Sequence, residues 1–475
     1  MPRILITDAR PFPPGSISPI AIVITPHQAA ADALGVVHLS LRSLAEEALR
    51  HAGLEIASGI RSQVLLKQAI GEMTPGSDTS AEAARMKQIL QTVLRTGIDT
   101  DELNRFGSNR VKRFAGVVER YREKLRAERL IDRDELLWHA AHLIHEPKEL
   151  VIYGYHRARK EEIYFINAFA GTGSIYYLPC HPDPIFTANQ LWAERMEVFG
   201  WTRRDEHRKA GTTAGAAAAR RFLDKAADGS LSSVHAIKAP DHESEVRGVL
   251  ATVKELLCSG ADPAGIALVC RDENTYAPTV SAVAGEYGLP INFRLSIPLA
   301  ETWTGSFVSL LLETARGGFG FETTARLLKH PFGPGLSDNA WNTARKTHTE
   351  SFDNWKHLSA DIDCLRWDEV RPLHDRIRSL QDALRKFDVR QKSGLVAREA
   401  VAYNCFLDAI SELTTFEENR PISLDGFSSL ISEVLLSVKT PFDPSAAGVL
   451  LAEPTIIVGG RFRQVFVMAL AGGIY

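Results

Sequence analysis

The residues that could carry chemistry begin with a short strand that ends without a carboxylate. Residues 150–153 form an apolar run of β-forming residues, typical of a strand buried on both faces. In a sheet that hydrolyses ATP, such a strand would end in Asp or Glu, which holds magnesium. Here the chain continues through Gly154, Tyr155 and His156 instead. The sequence therefore predicts that ATP chemistry is absent from this place.

A second requirement of ATP chemistry is also missing. A phosphate-binding loop needs the string G-x-x-x-x-G-K-[ST] between a strand and a helix, because its backbone amides and lysine cradle the phosphates. No such string occurs, and the segment Thr25-Pro26-His27-Gln28 after the first strong strand has neither the glycines nor the lysine. His27 and Gln28 follow a strand at the edge where open α/β sheets bind ligands, although we favour a loop pair without a ligand.

Metal and nucleophile chemistry have little support elsewhere. The string H-E-x-x-H and the spacing of a nucleophile elbow are both absent. His242 and Glu245 are three residues apart, but at a helix start, where capping explains acidic residues. The cysteines are interpreted as reduced and mostly buried, and none has the C-x-x-C spacing of a zinc or iron–sulfur site: Cys180, Cys258, Cys270, Cys364 and Cys405. We therefore predict no catalytic residue, no metal and no cofactor.

Six basic residues are the candidate contacts to nucleic acid. They are Arg157, Arg159, Lys160, Arg271, Arg461 and Arg463. The net charge of −3 gives no global nucleic-acid signature, so any DNA contact must come from local patches that neutralise phosphates. A simpler role stays open for each residue. For Arg271 we slightly favour an ion pair with Asp272 or Glu273, and Glu161 and Glu162 partly offset the first cluster.

A strongly basic helix is predicted at residues 110–129. Its cations are Arg110, Lys112, Arg113, Arg120, Arg122, Lys124, Arg126 and Arg129. We interpret this helix as a solvated face whose charge is partly balanced by Glu119, Glu123 and Glu128, and we place that interpretation ahead of DNA binding. Core packing is likewise favoured over base stacking for four tryptophans of a later helical region: Trp303, Trp341, Trp355 and Trp367.

Strands and helices alternate in two parts of the chain. Residues 150–178 predict a strand, a helix and a second strand, which make a parallel βαβ unit. Ser40 and Asp241 are predicted to cap further helices. Two long regions, 60–146 and 300–436, are predicted to be helical. Other strands are predicted at residues 4–6, 21–24, 36–39, 234–239, 266–270, 449–451, 455–458 and 465–470.

Length and composition indicate a globular protein of about three domains. The chain has 475 residues, of which 45% are hydrophobic and 24% charged. No apolar run reaches the roughly 18 residues that a membrane-spanning helix needs. The first residues show no signal-peptide pattern. We expect a cytoplasmic protein without a membrane partner.

Four stretches of the chain resemble superfamily 1 helicases, and more closely their inactivated relatives. The nearest family is the AddB/RexB-type subunit of ATP-dependent recombination exonucleases, which is distantly similar to RecC. The order and spacing of the four stretches carry the resemblance, which covers both α/β halves. The stretches are AIVITPHQAAADAL at 21–34, ELVIYGYHRARKEEIYFINAFA at 149–170, residues 241–246 with GADPAGIALVCRDENTYAPTVSAVAGEYGLPINF at 260–293, and GVLLAEPTIIVGGRFRQVFVMALAGGIY at 448–475.

The chain departs from the active members of that superfamily. It lacks the lysine of the phosphate loop and the acid of the magnesium strand, and it has Gly459-Gly460-Arg461-Phe462 where active enzymes have a lysine–glycine pair. In active relatives the arginine that matches Arg271 faces the nucleotide. Family members usually carry a PD-(D/E)XK nuclease domain farther on, so we expect this chain to be a fragment of a longer protein. Nothing matches the four cysteines that hold an iron–sulfur cluster in some members.

The resemblance implies an α/β fold with two RecA-like parallel-sheet domains, each with a helical insertion. The linker between the halves is predicted at 186–232. The first domain is predicted at 1–59 and 147–185 with its insertion at 60–146, and the second at 233–299 and 446–475 with its insertion at 300–445.

The function expected from the resemblance is a non-catalytic, DNA-binding scaffold in a double-strand-break repair complex. Its ligand would be single-stranded DNA or duplex ends, and its partner an active helicase–nuclease subunit. Two alternatives stay open: a DNA-guiding fragment of a longer PD-(D/E)XK exonuclease, and a protein–protein platform without DNA contact. Whether the full-length parent is an enzyme is not decided by this sequence.

Overall fold

The chain folds into two compact units. The computed structural model describes residues 2–7, 21–76, 78–156, 159–180, 183–205, 234–416, 419, 421–445 and 447–470. The first unit comprises Met1–Ala57, Ala69–Asn292 and Ala447–Tyr475, and the second comprises Ser58–Gln68 and Phe293–Ala446. None of the described helices is both long and apolar enough to cross a membrane.

The first half of the chain alternates strands and helices around a helical segment. In chain order the elements are β1 (Arg3–Ile6), β2 (Ile22–Ile24), α1 (Gln28–Leu34), α2 (Leu41–His51), β3 (Glu55–Ile56), α3 (Gly59–Met73), α4 (Thr79–Thr96), α5 (Thr100–Arg105), α6 (Asn109–Ala127), β4 (Leu130–Ile131), α7 (Leu136–Leu143), β5 (Leu150–Ile152), α8 (Lys160–Phe169), β6 (Ile175–Tyr177), α9 (Thr187–Val198) and β7 (Trp201–Arg204).

Five of these strands form one parallel sheet in the order β2-β5-β6-β1-β7. Because successive side chains of a strand point to opposite faces, β5 contributes to two apolar clusters. Leu150 and Ile152 pack in the cluster that also contains residues of α2, α7, α8 and α9, while Val151 packs with residues of α1. Both faces of the sheet are therefore covered, and the predicted parallel βαβ unit is confirmed.

Two predictions about this region need correction. Residues 36–39, predicted as a strand, lie outside regular structure, and Val37 is 88% exposed. Its apolar run is too exposed to serve as a core strand, although the carbonyl of Leu39 accepts a hydrogen bond from the Thr25 amide (2.9 Å). The segment predicted as a linker contains α9 and β7, and β7 pairs in parallel with β1. Residues 206–232 of that segment lie outside the described residues.

The second half of the chain begins with α10 (His242–Cys258), β8 (Ile266–Val269), α11 (Glu273–Tyr287) and β9 (Ile291–Phe293). The chain then continues through β10 (Ser296–Pro298), α12 (Trp303–Arg316), α13 (Phe321–Lys329), α14 (Asp338–Thr347), α15 (Phe352–Leu358), β11 (Val370–Pro372), α16 (Leu373–Lys386), α17 (Val389–Ser393), α18 (Ala397–Phe416), β12 (Pro421–Ser423), α19 (Leu424–Ser437), β13 (Lys439–Pro441), β14 (Val449–Ala452), α20 (Pro454–Ile457) and β15 (Gln464–Val467).

A second sheet of the first unit has the order β15-β8-β14-β9. β8 pairs in parallel with both β14 and β15, and every residue of β8 and β14 is buried. The Asp241 side chain caps α10 by accepting a hydrogen bond from the Ser244 amide (2.8 Å), as predicted. Two strand predictions are wrong here: residues 234–239 have no regular structure, and residues 455–458 lie mostly in the short helix α20.

The second unit is helical around one apolar core. Ile60 and Val64 of α3 belong to this core, although they lie in the stretch predicted as the first insertion. Trp355 is fully buried, which confirms core packing for this tryptophan. Two buried charges are held by backbone groups: Arg376 donates to the carbonyls of Asp368 and Glu369, and Glu399 accepts from an amide in the first turn of α12.

Candidate functional site

The carboxyl ends of β2 and β5 form the edge where a parallel sheet would bind a nucleotide. The two strands pair with Ile24 opposite Ile152, so the segments that follow them lie side by side. β2 leads into His27, and β5 leads into Gly154 and His156. Ligands of open parallel sheets bind outside such carboxyl ends. This edge is therefore the candidate ligand-binding edge of the first sheet.

The polar groups of this edge are engaged by the protein itself. The buried Tyr155 hydroxyl accepts a hydrogen bond from the Leu41 amide (3.0 Å), and burial raises the pKa of this phenol. His156 Nδ1 lies 3.2 Å from the Gly154 carbonyl. A carbonyl can only accept, so Nδ1 must carry the proton in this contact. These groups fix the loop after β5.

Two glycines after α20 occupy the space beside α1. Gly459 has a φ of +80°, and a Cβ on it would lie 3.1 Å from Tyr153 Cε1 and 3.2 Å from Ala30 Cβ. A Cβ on Gly460 would lie 3.3 Å from Ala29 Cβ. The Tyr153 hydroxyl also reaches the Gly459 carbonyl, at 3.5 Å. The segment after α20 therefore lies directly against α1 and the end of β5.

His27 supplies no cation to this edge at neutral pH. Burial lowers the pKa of its imidazole below the usual 6.5, and the nearby His156 and His38 lower it further. A hydrogen bond with the Thr455 backbone works in the opposite direction but is the smaller effect. A neutral imidazole does not replace the lysine that neutralises a triphosphate.

Acidic and nucleophilic residues gather at the carboxyl end of the second sheet. Burial raises the pKa of Glu273 to about 7, and the charge of Glu453 contributes in the same direction. Burial also raises the pKa of the Cys270 thiol to about 12, so the thiol is protonated at neutral pH and is a poor nucleophile. Glu245 accepts hydrogen bonds from the Tyr276 hydroxyl (2.7 Å) and the Ala469 amide (3.0 Å).

This second edge is built for packing more than for metal chemistry. Within the described residues, no three His, Cys, Asp or Glu side chains are placed to hold a metal ion. The His242 ring packs edge-on against Tyr276, with centroids 4.1 Å apart. One carboxylate oxygen of Glu273 and the Nε2 atom of His242 are both buried without a hydrogen-bond partner, which is costly for a polar group.

The first predicted basic cluster lies at the start of α8. Arg157 lies outside the described residues. Arg159 and Lys160 are exposed, and the Arg159 amide donates to Glu162 (2.7 Å). The Lys160 ammonium donates to the Thr96 carbonyl (3.2 Å) and lies 5.4 Å from the centre of the Trp138 ring. Lys160 thus serves the carboxyl end of α4.

The other three predicted residues do not form one cluster. Arg271 is exposed beyond the carboxyl end of β8, while Arg461 and Arg463 are exposed on the turn before β15. The Arg463 amide donates to the Gly265 carbonyl (2.8 Å), at the opposite end of β8. At about 3.3 Å per residue, the stretch from Gly265 to Arg271 spans roughly 20 Å. The backbones of Arg271 and Arg463 therefore lie at opposite ends of β8.

Most cations along α6 are neutralised by neighbouring helices. Glu123 pairs with Arg120, as predicted, but most of the other partners lie outside α6 and were not foreseen. These pairs depend on tertiary packing, which spacing along one helix does not show. The ion pairs are Arg113–Glu82, Arg120–Glu72, Arg120–Glu123, Lys124–Glu72 and Arg122–Glu135.

The turn between α5 and α6 differs from the rest of that helix. Arg105, Arg110 and Lys112 are exposed, and none of them forms an ion pair with another described residue. Phe106 lies among them and is 75% exposed. The interpretation of residues 110–129 as a solvated helix face did not single out this turn. The string RFGSNRVK at 105–112, an aromatic within a run of cations, was the available signal.

A serine–histidine contact in the second unit is structural. Ser306 Oγ lies 3.0 Å from His330 Nε2, but His330 Nδ1 accepts a hydrogen bond from the Phe332 amide (3.1 Å). With its lone pair on Nδ1 used, a neutral imidazole carries its proton on Nε2 and donates to the serine. It therefore cannot take the serine proton as a general base.

Comparison with known proteins identifies no relative. No protein-family model matches the chain, and no curated protein matches its sequence.

Proposed function

We propose that the protein is a non-catalytic, helicase-like scaffold that binds DNA within a double-strand-break repair or recombination complex. In this proposal the two parallel sheets belong to two RecA-like domains, each interrupted by a helical insertion. The supporting features are the sheets themselves, the helices on both faces of the first, and the sequence resemblance described above. The carboxyl edges of the sheets would have kept their shape after losing ATP turnover.

One observation carries the non-catalytic part of the proposal. Gly459 and Gly460 pack against Ala29, Ala30 and Tyr153, and in this proposal they take the place of the phosphates that a helicase would hold. No lysine or carboxylate occurs in the segments after β2 and β5, at 25–28 and 153–156. A site that lacks its cation, its metal ligand and its space would support binding without turnover.

DNA is the ligand that this proposal names. Arg159, Arg271, Arg461 and Arg463 are exposed and would contact phosphates at separate points of the surface. The net charge of −3 means that such contacts must act locally and against the overall charge. An active helicase–nuclease subunit would supply the chemistry that this chain lacks.

Fluorescence anisotropy with labelled single-stranded, forked and blunt duplex DNA tests the proposal. We expect binding at about 50 mM salt that weakens steeply toward about 200 mM, because phosphate contacts release counterions. A preference for single-stranded or forked DNA over the blunt duplex is expected. If no DNA is bound even at the lower salt concentration, the DNA-binding proposal is wrong.

A further inference from the structure

The last residue of α5, the connection that follows it and the first turn of α6 carry four exposed side chains that we call the basic turn: Arg105, Phe106, Arg110 and Lys112. Its three cations form no ion pair with any described residue, even though Glu102 lies one turn before Arg105. An uncompensated charge of +3 within eight residues is unusual on a chain with a net charge of −3.

Two of these cations, Arg110 and Lys112, oppose the electrostatics of the helix that holds them, whereas Arg105 lies in the last turn of α5, where a cation is favourable. α6 begins at Asn109 after the Ser108 cap, and its first turn has no acidic residue. Cations near a helix amino terminus are unfavourable by about 0.3–1 kcal/mol each. At the other end of α6, Lys124 and Arg126 lie in the last turn, where cations are favourable. A local departure from this rule commonly marks a functional position.

The aromatic ring supplies a second and different observation. Phe106 is 75% exposed. It lies next to Gly107, and a Cβ added to that glycine would have no other atom within 4 Å. The ring is therefore open to the solvent and has cations on both sides along the chain. Exposed aromatics between cations are the usual composition of surfaces that bind single-stranded nucleic acid, because each base has a face that can stack.

We propose that the basic turn is a contact site for single-stranded nucleic acid. Arg105, Arg110 and Lys112 hold successive phosphates, and a base stacks on the Phe106 ring. This inference rests on the proposed function for its ligand, but it assigns the contact to a surface that the resemblance does not point to. A fully paired duplex offers no unstacked base, so Phe106 favours single strands.

The experiment compares two double variants of equal charge. Arg110→Gln/Lys112→Gln removes two cations of the basic turn. Arg126→Gln/Arg195→Gln removes two exposed helical cations that also have no ion pair among the described residues, and it serves as the control. We expect the first variant alone to weaken binding of a labelled single-stranded oligonucleotide at least about tenfold and to lower the salt slope by about 1.4.

A third variant tests the ring without changing charge. Phe106→Ala is expected to weaken single-strand binding roughly five- to hundredfold and blunt-duplex binding far less. Because the ring is exposed, the melting temperature should stay unchanged.

If the unchanged protein binds no DNA, the proposed function fails first. If it binds DNA and the turn variants match the control, only this inference is overturned. Polyglutamate serves as a probe for an acidic protein partner. If Arg110→Gln/Lys112→Gln keeps its DNA binding but loses polyglutamate binding, this inference is wrong and the basic turn is instead a surface for an acidic protein partner.

Discussion

At Gly459 the packing of the first unit depends on the absence of a side chain. The residue is held in the left-handed region and lies against Tyr153 and Ala30. Sequence alone indicated that the lysine and the acid of a nucleotide site are missing, since both are local features. It could not indicate that Tyr153 meets Gly459 some 300 positions away, because that contact exists only in the folded chain.

The first prediction concerns the closing glycine. Gly459→Ala should lower the free energy of unfolding by about 1–3 kcal/mol more than Gly35→Ala, because the added methyl group must displace Tyr153 or Ala30. Both glycines have a positive φ, +80° and +68°, so both variants include the same backbone strain, but a Cβ on Gly35 meets nothing within 4 Å. Urea denaturation measures the difference, and equal losses would contradict the packing argument.

The second prediction concerns the pH dependence of stability through Glu273. Folding raises the pKa of this buried carboxyl from its usual 4.5 to about 7. The folded state therefore holds the proton more tightly, and the free energy of unfolding falls as pH rises from about 4.5 to about 7, by up to roughly 3 kcal/mol. Glu273→Gln cannot ionise, so its stability relative to the unchanged protein should rise across this pH range.

Chemical denaturation at about pH 5 and about pH 8 measures this change in relative stability. Glu255→Gln, on the exposed face of α10, is the control and should show no such trend. A Glu273→Gln variant that follows the control at both pH values would show that the carboxyl ionises without penalty in the folded protein.

At the scale of elements, strong local patterns were predictable and weak ones were not. The helices capped by Ser40 and Asp241 formed as predicted, since a capping side chain and an amphipathic run agree there. β7 was missed because three of its four residues, Trp-Thr-Arg-Arg, are polar, as suits the edge of a sheet. Residues 455–458 have β-forming side chains but lie mostly in a short helix that begins at Pro454. Tertiary context overrode propensity in that segment.

The third prediction concerns the contact between α8 and α4. Lys160→Met should lower the free energy of unfolding by about 1 kcal/mol, because it loses the Thr96 carbonyl and the Trp138 ring. Lys87→Met, at an exposed position of α4, is the control. DNA affinity should stay the same in both variants. A loss of DNA affinity without a loss of stability would instead support the sequence-based prediction that Lys160 contacts a phosphate.

For the whole molecule, the closed site predicts that magnesium–ATP does not stabilise the fold. A ligand present at a hundred times its Kd adds about 2.7 kcal/mol to the stability of a protein that binds it, which raises Tm by several degrees. We expect no rise in Tm with magnesium–ATP beyond that with magnesium chloride alone. A concentration-dependent rise, checked by calorimetry, would mean that the Gly459–Gly460 segment moves aside and that the protein is not silent toward nucleotides.

The strand order of the second sheet also determines how long β8 stays unpaired while the chain is being synthesised. β8 ends at residue 269, yet its two neighbours in the sheet, β14 and β15, begin only at residues 449 and 464. At roughly 5–20 residues per second, a ribosome would leave both edges of this apolar strand unpaired for about ten seconds or longer. During that interval the unpaired edges of β8 would be prone to aggregate with other nascent chains. A chaperone that covers these edges would raise the yield of folded protein.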